Sequence, residues 1–270
     1  MNKKIAISTW CTDNYQHFLG LQGLINSIKY FHPEIECVVY DSNKTQYINQ
    51  KYPWATWIKM MPPTMIDLFD DYDMVIHVDA DSTIVGSLDE VLLGDFDVAC
   101  VRNYTHKGSC GTTPFQSILS SPHLVPGGFN INNFMNAGFV ATTSKEFVLD
   151  WMEANRICAH DSDEQMELNR IINTDKYKVK VLDDIGSGVS YGVSNIWGTT
   201  THWDSWKKLY VKNDKLYIIN ELEEEIEVKV LHVAGGGDMK RIMFGTSTMR
   251  EWLNNWVPND VKEYLNNITK

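Results

Sequence analysis

Apolar and polar positions along this chain fall into two alternating kinds of block. Short, almost unbroken apolar runs fit strands buried on both faces: "KKIAIST" near the start, "IECVVY" at 35–40, "MVIHV" at 74–78 and "FDVACV" at 96–101. Between the first two runs, Tyr15, Phe18, Leu19, Leu24, Ile25, Ile28 and Phe31 recur near a helical period. They predict an amphipathic helix from about 12 to 31, stopped by His32-Pro33. A shorter helix is expected around 45–52, and Pro62-Pro63 marks a break. Strand, helix, strand, helix, strand is the order of a parallel sheet with helices on its faces.

The second half is less regular. Residues 103–133 are rich in Gly, Ser, Pro and Asn and predict a long loop. "NAGFVAT" (136–142) predicts a strand, followed by a helix opened by a Thr143-x-x-Glu146 capping box. A further helix over 163–173 opens with Ser162-x-x-Gln165. "YKVKVL" predicts a strand, and "KKLYVKNDKLYIIN" a hairpin turning at Asn213-Asp214. "EVKVLHVAGGG" predicts one last strand running into three glycines, and 246–270 a packing helix carrying Trp252 and Trp256. With no repeat and no linker, a single domain over 1–270 is expected.

Composition narrows the function classes. At 270 residues and 43% hydrophobic, the chain can bury a sizeable core. A net charge of −11 and the lack of any Lys/Arg-rich run argue against nucleic acid or an anionic membrane surface as a partner. Cys11, Cys37, Cys100, Cys110 and Cys158 are odd in number and scattered, which points to reduced thiols and a cytoplasmic setting. No signal-peptide pattern opens the sequence and no 18-residue apolar run occurs, so no membrane span is expected.

Acids spaced D-x-D occur at 71/73, 79/81, 95/97 and 161/163. Only Asp79 and Asp81 follow a five-residue apolar run, at the carboxyl end of a strand, where such sheets bind ligands. Two like charges this close need a positive partner, or one of them reacts. A hard divalent cation, Mn²⁺ or Mg²⁺, takes such carboxylates together with the oxygens of a substrate diphosphate. Neutralising one unit pair at intermediate dielectric is worth roughly 4 kcal/mol, about three powers of ten in rate if felt only in the transition state.

The motifs resemble those of metal-dependent glycosyltransferases of the GT-A fold, family 8 type. "STWCTDNYQHFLGLQGLINSI" resembles the nucleotide-binding opening, "HVDADSTIVGSLDEVL" the metal motif, "NAGFVAT" the donor-sugar segment, "DEQMELNRII" the helix beside the anomeric carbon, and "LHVAGGGDMK" the C-terminal motif. The resemblance implies a GT-A α/β fold, a mostly parallel central sheet flanked by helices with a small antiparallel hairpin region. It implies a nucleotide-binding half (1–101), an acceptor and sugar half (102–245) and a helical tail (246–270). It assigns Asp79, Asp81 and His232 to the metal. It assigns Ser8, Thr9, Asn14, Tyr15, Asp79, Ala80, Asn136, Ala137, Gly138, Gly235 and Lys240 to the nucleotide sugar, and Asp163, Glu164 and Gln165 to the reacting carbon. The implied partners are a nucleoside-diphosphate sugar, UDP-hexose first, and a glycan, lipid-linked or protein acceptor.

Two other readings stay open at this point. "MVIHVDADST" also fits the D-x-D-x-T motif of haloacid dehalogenase-type phosphatases, with Asp79 as nucleophile, Asp81 as acid/base, Thr83 behind, and Asp183 and Asp184 as later acids. A non-catalytic sugar-nucleotide-binding module would keep the same fold. Trp197, Trp203 and Trp206 are candidates for stacking on an acceptor sugar.

Overall fold

The computed structural model describes residues 3–11, 15–56, 59–102, 135–158, 164–182, 189–190, 193–194, 209–219, 225–232 and 257–270, without the side chains of 15–19, 102, 189–190 and 193–194. Strand β1 (Ile5–Trp10) lies between β2 (Glu36–Tyr40) and β3 (Met74–Val78), parallel to both. Next comes β6 (Met135–Thr142), antiparallel to β3 on one side and to β5 (Val98–Arg102) on the other. Strand β7 (Val179–Val181) closes the edge parallel to β5. The order is β2-β1-β3-β6-β5-β7, with β6 alone running against the other five.

Alternation along each strand divides the core into two layers. Ala6, Val75, Val98 and Val140 face α2 (Ser42–Lys51), α3 (Met61–Ile66), α5 (Lys145–Ile157) and α6 (Glu164–Ile172), where they meet Ile48, Met61, Trp151 and Leu168. Ile7, Ile76, Ala99 and Ala141 face the other way, toward Leu24 and Ile28 of α1 (Tyr15–Phe31) and Val91 of α4 (Asp89–Leu92). Every residue of β3 is buried, as a strand covered on both faces requires.

Beside this sheet, after the two-residue strands β8 (Val189–Ser190) and β9 (Val193–Ser194), the Asn213-Asp214 turn joins β10 (Leu209–Lys212) to β11 (Lys215–Ile219). Both turn residues have positive φ, 53° and 56°, the conformation a two-residue hairpin needs and one that Asn and Asp tolerate. The expected single last strand is two. β12 (Glu225–Val228) pairs with β11, and β13 (Val230–His232) pairs antiparallel with β4 (Ser82–Ile84), the chain changing sheets at Lys229. Here α7 (Asn259–Ile268) sets Val261, Leu265 and Ile268 against Val85, Val228 and Leu231.

Three local expectations are corrected. Pro62 and Pro63 open α3 rather than interrupt the chain, because the first helical turn has no use for their missing N–H groups. The helix expected around 45–52 starts earlier, at Ser42, with Asp41 capping the Lys44 N–H at 3.0 Å. The cap of α5 is Ser144, which accepts from the Phe147 N–H at 3.1 Å. Thr143 instead donates its hydroxyl to the Phe96 carbonyl at 2.6 Å.

Candidate functional site

The Asp79–Asp81 segment is a turn between two sheets. At the end of β3, the Asp79 N–H donates to the Gly138 carbonyl and the Ser82 N–H to the Asp79 carbonyl, each at 2.9 Å. The chain thus leaves the six-stranded sheet and enters β4 within one tight turn. Antiparallel pairing of β4 with β13 puts Ser82 opposite His232. That register brings a residue some 150 positions away in sequence over the acids. His232 Nε2 lies 3.3 Å from Asp79 Oδ2 and 3.3 Å from Asp81 Oδ1. One ligand atom from each of the three falls within a 4.8 Å group, the sole such cluster of His, Cys, Asp and Glu among the described residues.

Two glycines make the room. A Cβ on Gly138 would sit 2.2 Å from His232 Cε1 and 2.7 Å from its Nδ1, so the imidazole lies where any side chain at 138 would be. A Cβ on Gly20 would sit 2.8 Å from the Ala80 carbonyl oxygen, so α1 meets the turn backbone to backbone.

Electrostatics show what the pair of acids demands. Burial works to raise the Asp79 carboxyl, but hydrogen bonds from His232 and His77 overcome it and hold the group well below the usual carboxylate range. Burial works to lower His232, and its bonds to Asp79 and Asp81 reverse that, pushing it up to about 10. The two acids thus favour the protonated form of the imidazole that lies between them. The donor set, two carboxylates and one imidazole, also suits a divalent ion such as Mn²⁺ once that imidazole gives up its proton.

His77 was not singled out from the sequence. It is fully buried, with Nε2 3.2 Å from Asp79 Oδ1 and no hydrogen-bond partner for Nδ1 among the described residues. A strand period of two puts residues 77 and 79 on one face, so a histidine inside an otherwise apolar strand, two places before an acid, was the available signal.

Helix α6 is bound to the start of β6. Gln165 Oε1 accepts from the Ala137 N–H at 2.9 Å, and Asn136 Oδ1 accepts from the Gly138 N–H at 2.7 Å. Asn169 grips Met135 from both sides, accepting from its N–H at 2.6 Å and donating to its carbonyl at 2.8 Å. Gln165 thus turns its oxygen to the strand, and Ser162, the other half of the expected capping box, lies outside the described residues. Glu164 Oε2 accepts from the Met61 N–H at 2.9 Å, a carboxylate at the positive end of α3. Hydrogen bonds thus link the Asp79–Asp81 turn, the Asn136-Ala137-Gly138 segment and the start of α6.

Ser8 and Thr9 end up inside. Ser8 donates to Thr64 Oγ1 at 3.3 Å on the α3 face, and Thr9 lies fully buried on the α1 face. Neither side chain is accessible. Asn14, Asp163, Gly235 and Lys240 lie outside the described residues, as do Asp183, Asp184, Trp197, Trp203, Trp206 and the side chain of Tyr15. The 103–133 loop lies outside them as well.

The sequence matches no protein-family model and no curated protein. Solved structures do share its architecture. The apo structure of the bifunctional glycosyltransferase WbbM aligns over 99% of this chain at 14% identity with a TM-score of 0.53, and this chain spans about half, 52%, of that protein. The galactosyltransferase LgtC, solved in complex with donor and acceptor sugar analogs, aligns over 96% of this chain and 99% of its own at 14% identity, TM-score 0.47. The architecture expected from the sequence, a GT-A α/β fold with a mostly parallel central sheet flanked by helices and a small antiparallel hairpin region, is the fold of this chain.

Proposed function

We propose that this chain is a metal-dependent glycosyltransferase that moves a hexose from a nucleoside diphosphate, UDP first among them, to an acceptor hydroxyl with retention of configuration. The observation that carries this is the meeting of Asp79, Asp81 and His232 at the carboxyl end of β3 within a GT-A fold. The phosphatase reading needs another fold, one in which the D-x-D-x-T strand opens the core; here β1 and β2 come first.

In this reading Asp79, Asp81 and His232 hold Mn²⁺ or Mg²⁺. Such an ion, when bound, neutralises charge that develops on a departing diphosphate. The other roles belong to the chain itself. His77 holds the Asp79 carboxylate in one orientation. Asn136, Ala137 and Gly138 present a strand end to the donor sugar, and Gly235 and Lys240 of the C-terminal motif take the phosphates. Gln165, fixed through its oxygen to the Ala137 N–H, stands at the start of the helix that this reading sets beside the reacting carbon. The reading keeps Asp163 as a further group for the reacting carbon. Glu164 supports this arrangement by fixing α3, which assigns Glu164 to positioning in place of direct contact. Retention leaves little need for a classical base, and oxygens of the leaving phosphate take the acceptor proton.

The test is hydrolysis of a panel of sugar nucleotides with Mn²⁺ and no acceptor. Turnover with one donor, lost in Asp81→Ala and in His232→Ala while both variants stay folded, is the expected result. Undiminished turnover in either variant removes the metal site. Donor binding without hydrolysis in the unmodified protein leaves a binding module.

A further inference from the structure

On the α3 side of the sheet, a lysine amine and a cysteine thiol are held against each other. Lys59 is 5% exposed and lies two residues ahead of α3. Cys158 is half-buried and caps the C-terminus of α5. Lys59 Nζ donates to the Asn155 carbonyl at 3.0 Å, and the Cys158 thiol donates to the same carbonyl at 3.2 Å. One helix-end oxygen thus fixes both groups. Between them, Nζ and Sγ are 2.9 Å apart. That is the separation of an ordinary N–H···O bond, about 2.9–3.0 Å, although sulfur is the larger atom. A direct S–N bond would need the two to close by more than an ångström, whereas a single oxygen between them fits the spacing as it stands.

We propose that Lys59 and Cys158 form a redox modification site, in which a hydroperoxide joins them through one oxygen as Nζ–O–Sγ. In the first step the thiol sulfur attacks hydrogen peroxide, the O–O bond breaks, and Cys158 becomes a sulfenic acid with release of one water. In the second step another peroxide is reduced to two waters. It removes one hydrogen from the sulfenic O–H and one from the Lys59 amine as the N–O bond forms. The sum is thiol plus amine plus two peroxides giving the bridge and three waters. Cys158 is partly accessible to a small oxidant, while Asn155, itself fully buried, keeps the amine in place through the first step. The product fastens the approach to α3 to the end of α5. Dithiothreitol reverses it by cleaving the S–O bond.

The experiment is peptide mass analysis of the folded full chain after hydrogen peroxide, with and without later dithiothreitol. The expected result is a Lys59–Cys158 cross-linked peptide, heavier by one oxygen and lighter by two hydrogens than the sum of its parts. Trypsin cleavage after Lys59 should be lost along with the free thiol, and both should return with dithiothreitol. Cys158→Ser and Lys59→Arg should each give no cross-link while near-UV circular dichroism shows a native fold. A cross-link lacking the oxygen, or Cys158 oxidised to sulfinic acid beside an unmodified Lys59, overturns the proposal, as does an unreacted pair. None of these readouts depends on turnover.

Discussion

Two D-x-D pairs in this chain, Asp79/Asp81 and Asp95/Asp97, share spacing and residue type and differ in everything that matters. The first follows β3 and the second precedes β5, strands that run in the same direction, so the pairs lie at opposite ends of the sheet. At the carboxyl end, Asp81 is 10% exposed and both acids share the His232 imidazole. At the amino end, Asp95 is 94% exposed and pairs with Lys178, which holds its carboxyl below the usual range. Asp97 accepts from the Lys178 N–H at 2.8 Å and fastens β5 to β7. Carboxylates acquire a demanding role where the fold gives them burial and a shared partner. The same spacing in water is a surface detail.

That contrast is sharpest where the demanding pair is most dependent on its surroundings. Gly138→Ala should have the largest effect, because the new methyl claims the position of the His232 ring. We expect a loss of stability of about 1–3 kcal/mol from overpacking, together with loss of Mn²⁺-induced thermal stabilisation. Thermal denaturation with and without Mn²⁺ reads both, and an unaltered Mn²⁺ shift would show that His232 is not a ligand. His77→Phe should come next: it keeps an aromatic ring in the strand and deletes the bond to Asp79. Titration calorimetry should show Mn²⁺ binding weakened by about ten- to a hundredfold. Equal affinity would reduce His77 to packing.

Glu164→Ala should cost about 1 kcal/mol in urea denaturation, the size of a lost helix cap, since the Met61 N–H at the head of α3 loses its acceptor. Full stability with a lower turnover number would return Glu164 to the chemistry. Asp95→Ala should be the smallest perturbation. Neither the melting temperature nor the Mn²⁺ response should move measurably, since an exposed pair with Lys178 is screened by water. A lost Mn²⁺ response there would erase the distinction between the two pairs.

Much of this molecule was legible before any coordinates. The apolar runs of β1, β2, β3 and β5 announce themselves because strands buried on both faces need continuous hydrophobicity, and α1 shows a helical period because one side meets β1 and β3. The hairpin at Asn213-Asp214 is written in turn chemistry. Asp79 and Asp81 stood out by context alone, as acids ending the most apolar strand. Such features are local, and local chemistry depends on neighbours a few residues away.

Other features depend on contacts that no local pattern encodes. The reversal of β6 is set by which strand edges were left for it, and the splitting of the last strand at Lys229 by the demands of two sheets at once. Ser8 and Thr9 are polar residues near the end of β1, yet both are fully buried, and Ser8 bonds Thr64 of α3. Gln165 faces Ala137 because α6 lies along β6. From its sequence alone this chain determined its strands, its main helices and the acids worth watching. Tertiary structure alone decided that Ser82 pairs with His232, that Gly138 leaves space for the imidazole, and that His77 stands behind Asp79. The reason is physical: hydrophobic periodicity is fixed by the chain's own order, whereas a charged cluster forms only where separate strands bring their ends together.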